Sequence, residues 1–146
     1  MVHSDHVAYA GPIFDATGYG YTARANLAAL AVHHHHLSAH EFSFSGERLR
    51  DESSRYATLA RTLASKDRAP AHLLALAPVR IAHSTPREFG RFRQEGRVNI
   101  GYTFWETTRL RPEWVAYCNA LDEVWVACED NRRWFRDSGV TVPVHV

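Results

Sequence analysis

A carboxylate beside an indole, a histidine closing an apolar run and paired glycines ahead of a helix are the residues here whose types could do chemistry. Trp105-Glu106-Thr107-Thr108-Arg109 follows the apolar run Val98–Tyr102. An indole beside a carboxylate suits a sugar: the apolar ring stacks, and the carboxylate accepts hydroxyl hydrogen bonds. The same residues have a structural reading, with Glu106 capping the next helix and Trp105 filling core. His83 ends a strand-like segment in IAHSTP. At the carboxyl edge of a parallel sheet it can hydrogen-bond a ligand or move a proton. Its structural reading is a ring satisfied by a loop carbonyl.

Gly18-Tyr19-Gly20-Tyr21-Thr22-Ala23 fits G-x-G-x-x-A. Such glycines let a backbone approach a phosphate or sugar at a helix N-terminus, where the dipole favours negative charge; they equally suit a plain turn. A dinucleotide site needs the first glycine directly after the first strand and an acid at the end of the second. Here several residues separate Ala10 from Gly18, and Glu41 opens its segment. An NAD-type oxidoreductase is therefore the weakest alternative.

Other chemistries lack their residues. Glu106 has no partner carboxylate at a spacing that suggests an acid/base pair. No Ser-His-Asp pattern or zinc spacing is present. The run His33–His36 resembles a metal site, but adjacent histidines at a helix end point in different directions. A solvated helix terminus, where imidazolium suits the dipole, is the better reading. No metal and no cofactor are expected.

Elements that alternate between strand and helix must position these groups. The segments His6–Ala10, Glu41–Phe44, Val79–His83, Val98–Tyr102, Val124–Val126 and the alternating Val142, Val144 and Val146 predict strands. Between them, Ala23, Leu27, Leu30, Ala31 and His34 mark one helix, with Thr22 able to cap it. Tyr56, Leu59, Ala60 and Leu63 mark a second, and Glu88–Gly96 is a charged turn or short helix. Pro112 opens a helix with the stripe Trp114, Tyr117, Cys118 and Leu121. Asn131, Trp134, Phe135 and Ser138 line the last, which Gly139 closes. This alternation predicts an α/β fold: a Rossmann-like parallel sheet with helices on both faces.

The 146 residues suit a single domain, 1–146, with a real core. Net charge is +1, and acids and bases are interspersed, so a nucleic-acid footprint is absent. Lys66 is the only lysine; arginine suits phosphate or carboxylate, although codon bias accounts for the same imbalance. The two cysteines, Cys118 and Cys128, are too few for a disulfide framework and read as buried or half-buried thiols. With no signal-like or membrane-spanning segment, the cytoplasm is expected, and a peripheral membrane contact stays open.

Read together, GYG with a helix containing Arg24, the strand ending at His83, IGYTFWETTRLRPEW and LDEVWVACEDNRRWFRDSGVTVPVHV resemble the N-terminal half of a GT-B glycosyltransferase of the retaining family-four type. The match covers most of the chain and is densest over 98–144. The resemblance implies one half of a GT-B fold and retaining transfer of a sugar from a nucleotide-sugar donor, without an essential metal. It implies that Gly18 and Gly20 sit near the donor diphosphate and that His83 is catalytic, facing the transferred sugar. Tyr19, Trp105, Glu106 and Arg109 would serve the acceptor or sugar. Cys128 departs from the family's small capping residue, often serine, and cysteine caps a helix poorly. Val142–Val146 resembles the run before the interdomain linker. The expectation is thus a half-enzyme or fragment that binds mainly the acceptor, with a C-terminal donor-binding domain as a partner in trans. The alternative is a non-catalytic module for a glycan or nucleotide sugar.

Overall fold

The structure, a computed structural model, describes residues 6–33, 36–43, 45–47, 55–66 and 77–146. Its strands form one six-stranded parallel sheet of order β2-β1-β3-β4-β5-β6, flanked by helices, an α/β Rossmann-like architecture. The chain divides into two compact units, Met1–Val79 and Arg80–Val146.

In the first unit, β1 (Val7–Gly11) leads through a tight loop into α1 (Gly18–His33) and then β2 (Leu37–Glu41). β2 lies ahead of the expected Glu41–Phe44, and Phe44 is outside the described residues. Pairing decides this: β1 and β2 run parallel in register from Val7–Leu37 to Gly11–Glu41. Small and polar residues hide β2 from an apolar pattern, because its buried positions are Ser38 and Ala39. Ser38 Oγ meets His6 Nε2 in a hydrogen bond of 2.9 Å.

Helix α1 starts earlier than a Thr22 cap requires. Thr17 precedes it and accepts the Gly20 amide on its hydroxyl at 3.4 Å and the Tyr21 amide on its carbonyl. Thr22 lies inside the helix and donates to the Gly18 carbonyl instead. The buried face is Gly20, Ala23, Arg24 and Leu27; Leu30 and Ala31 are less deeply placed. Helix α2 (Arg55–Lys66) buries Ala57 and Ala60, with Tyr56 and Leu59 at the margin. The Leu63 side chain and residues His34 and His35 lie outside what the structure describes.

The second unit carries β3 (Val79–His83), whose first residue belongs to the first unit, α3 (Pro86–Phe92) and β4 (Val98–Thr103). It continues with α4 (Pro112–Asn119), β5 (Glu123–Val126), α5 (Glu129–Asp137) and the short β6 (Val144–His145). Phe89, Cys118, Leu121, Val124, Phe135, Val140 and Val144 form its core. Burying a phenylalanine such as Phe89 or Phe135 stabilises by roughly 1.5–3 kcal/mol relative to exposure. Gly101 sits in β4 because a Cβ there would lie 2.6 Å from the Phe89 ring and 2.7 Å from Leu121.

Pro112 does open α4, but Tyr117 is 40% exposed rather than part of the buried stripe. Trp114, Val115 and Cys118 form the inner face, and Tyr117 falls beside that arc. Helix α5 starts after Cys128 without a side-chain cap; Arg132 donates its amide to the Cys128 carbonyl, and Glu129 and Asp130 suit the dipole. The Cys128 thiol is exposed, against expectation, because a cap position faces out; Cys118 is buried. Gly139 ends α5 with φ +104°. The Gly139 amide bonds the Arg136 carbonyl and the Val140 amide bonds the Phe135 carbonyl, a Schellman-like closure that packs Val140 with Phe135. Among the described residues no helix is long and apolar enough to cross a membrane.

Candidate functional site

The turn after β4 gathers Trp105, Glu106 and Arg109 at the carboxyl end of a parallel strand. The Trp105 indole is half-buried and donates from Nε1 to the Arg109 carbonyl at 3.0 Å. Its ring meets Trp114 edge-on at 4.5 Å. Thr107 also donates to the Arg109 carbonyl, so the turn closes on itself.

Glu106 and Arg109 are exposed, and among the described residues neither charged group has a hydrogen-bond or ion-pair partner. The capping reading of Glu106 does not hold: the residue before α4 is Arg111, and that helix start has no side-chain cap. The carboxylate is left to solvent or to a ligand. The core reading of Trp105 holds in part, since its ring packs against the unit's core.

Two residues that sequence periodicity places in an apolar stripe hold this turn. Asn131 is 3% exposed. Its Oδ1 accepts the Trp105 amide at 3.1 Å, and its Nδ2 donates to the Trp105 carbonyl at 2.7 Å. Ser138 Oγ accepts the Leu110 amide at 2.9 Å. The legible signal is a carboxamide and a hydroxyl two turns apart on an otherwise apolar helix face.

His83 ends β3 as expected, fully buried. Its ring lies edge-on to Tyr102 at 4.6 Å and near Phe104 at 6.4 Å. Burial pushes its pKa down to about 3, because a charged imidazolium is poorly solvated there. The ring is neutral at ordinary pH. Hydrogen bonding through a ring nitrogen is the chemistry this leaves it; carrying a proton near neutrality is not.

The glycine loop belongs to the first unit and is described by itself. A Cβ on Gly20 would lie 2.1 Å from the Asp15 carbonyl oxygen and 3.0 Å from that of Pro12. Gly20 is therefore required by the loop's own backbone. Gly18 is exposed, and a Cβ added there would meet nothing within 4 Å; Tyr19 is half-buried. The loop is anchored from within. Arg24 donates to the Ile13 carbonyl at 2.8 Å and that of Asp15 at 3.3 Å. The buried Asp15 carboxylate accepts from Ser43 Oγ at 2.7 Å and the Ser45 amide at 3.1 Å. Nothing in the sequence marks Asp15, since these partners lie some thirty residues on.

No group of side chains able to hold a metal ion occurs among the described residues. His33 is exposed at the end of α1. No protein-family model matches the chain, and no curated protein sequence matches it.

Proposed function

We propose that residues 1–146 act as the acceptor-side half of a retaining GT-B glycosyltransferase, binding a glycan or other acceptor while a nucleotide sugar donates. The reading starts from the sequence resemblance over 98–144, and the Rossmann-like fold supports it. The observation that carries it is the Trp105–Arg109 turn. A carboxylate and a guanidinium stand exposed and unpartnered among the described residues, on a turn tied down at the end of a parallel strand, where such sheets bind ligands.

In this reading Glu106 accepts hydrogen bonds from sugar hydroxyls, Trp105 offers apolar surface and Arg109 donates to oxygens. His83 is fully buried and neutral, so in this reading it packs against Tyr102 near the strand ends and does not itself touch the transferred sugar. Gly18 leaves room at the start of α1 for the donor diphosphate.

The test is a glycan array probed with the purified chain, followed by NMR titration with the best-bound glycan. Amide shifts should concentrate at residues 104–110, and Glu106→Gln should weaken binding. Shifts confined to other parts of the chain, or equal binding by Glu106→Gln, would overturn the assignment. No nucleic-acid partner and no metal requirement belong to this proposal.

A further inference from the structure

The turn after β4 is short, polar and exposed, yet its backbone hydrogen bonds at both ends go to side chains of one helix. Trp105 exchanges a pair of bonds with the Asn131 carboxamide, and Leu110 donates to Ser138 Oγ. Asn131 lies in α5 and Ser138 is the C-cap that continues its backbone; seven positions apart, they fall on one side of the helix. Between those anchors the Trp105 indole and Thr107 hydroxyl converge on the Arg109 carbonyl. The side chains of Glu106, Thr108 and Arg109 are left outside this net, exposed.

We infer that Asn131 and Ser138 are positioning residues that clamp both ends of the 105–110 turn and present Glu106 and Arg109 in a single conformation. A loose exposed turn would lose conformational entropy on binding; a clamped one has already lost it. The support is rigid in turn, because α5 is locked at its C-terminal end by Gly139 and buries Phe135 in the core. The paired carboxamide bonds carry direction as well as energy. The acceptor meets an amide and the donor meets a carbonyl, so no other uncharged side chain of that length reproduces both. That the presented groups meet a sugar rests on the reading above; the clamp itself does not.

The experiment is amide hydrogen exchange by NMR on the whole chain. In Asn131→Ala the Trp105 backbone amide, whose acceptor is removed, should exchange about tenfold faster or more. The Val124 amide, bonded to the Pro143 carbonyl, should keep its wild-type rate. Asn131→Asp keeps an acceptor and should still protect the Trp105 amide. Ser138→Ala should expose the Leu110 amide, and Ser138→Thr should restore it. Unchanged protection of Trp105 and Leu110 in the alanine variants would overturn the clamp. So would a uniform acceleration throughout residues 80–146 in Ser138→Ala and Asn131→Asp, which would make both residues general stabilisers. Glu106→Gln should leave all these rates alone while losing glycan, so the clamp and the sugar reading fail separately.

Discussion

At position 106 a carboxylate stands exposed on a turn whose ends are held elsewhere, and its own removal should cost the fold almost nothing. Glu106→Gln is expected to leave the melting temperature nearly unchanged. A capping carboxylate would show a loss of about 1 kcal/mol instead; a thermal melt separates the two. At Gly20 the opposite holds. Gly20→Ala drives a Cβ against the Asp15 and Pro12 backbone, and overpacking of this kind costs about 1–3 kcal/mol. Gly18→Ala meets nothing and should be neutral or slightly stabilising in a denaturant titration. It is therefore the cleaner probe of whether a ligand approaches that loop. His83 sets a pH dependence. The unfolded chain protonates this histidine near the ordinary 6.5, whereas the folded chain resists until about 3. Its stability contribution is thus complete above pH 6.5 and declines as pH falls through that interval. The melting-temperature difference between wild type and His83→Phe should shift against wild type from pH 7 to pH 5. A pH-independent difference would count against a buried neutral ring.

Helix α5 shows how an element turns local composition into position. Its surface pairs, Arg132 with Glu129 and Arg133 with Asp130, are exposed and add little. Its ends and inner face matter more. Gly139 adopts φ +104°, which costs an L side chain, so Gly139→Ala should destabilise by about 1 kcal/mol in a denaturant titration. The helix start survives an exposed cysteine at its cap, because acidic residues occupy the first turn and the inner face is well buried. Asparagines recur as loop holders in this unit. Asn99 pairs both backbone groups of Gln94 near the start of β4, and Asn119 holds the Gly139 carbonyl and the Thr141 amide. Asn131 does the same for Trp105. Of these three held segments, the one at Asn131 carries, at the carboxyl end of a strand, exposed charges that have no partner among the described residues.

For the molecule as a whole, the proposed reading makes a negative prediction. Stabilising a departing diphosphate is a large share of the barrier reduction in such transfers, and in a GT-B enzyme that grip comes largely from the donor-binding half. Residues 1–146 by themselves should therefore consume no nucleotide sugar in a donor-hydrolysis or transfer assay. Robust turnover by the purified chain would overturn the division of labour proposed here.

The alternation of apolar runs with helical stripes is enough to predict the α/β class, β3, β5, the Pro112 helix start and the Gly139 stop. These rest on local periodicity and on residues with strong backbone preferences. β2 escapes that pattern because its buried residues are serine and alanine, and its position follows from register with β1. Composition does not say which threonine, 17 or 22, the chain turns at, so Thr22 is as plausible a cap as Thr17 until the loop is folded. The types of the candidate site residues are legible, but their states are not. That Glu106 is free of a helix, that His83 is buried to neutrality and that Gly20 is spoken for by Asp15 all depend on neighbours in space. Asn131 and Ser138 look like members of a stripe for the same reason: hydrogen bonds across 26 and 28 residues leave no periodic trace, and only packing brings their partners together.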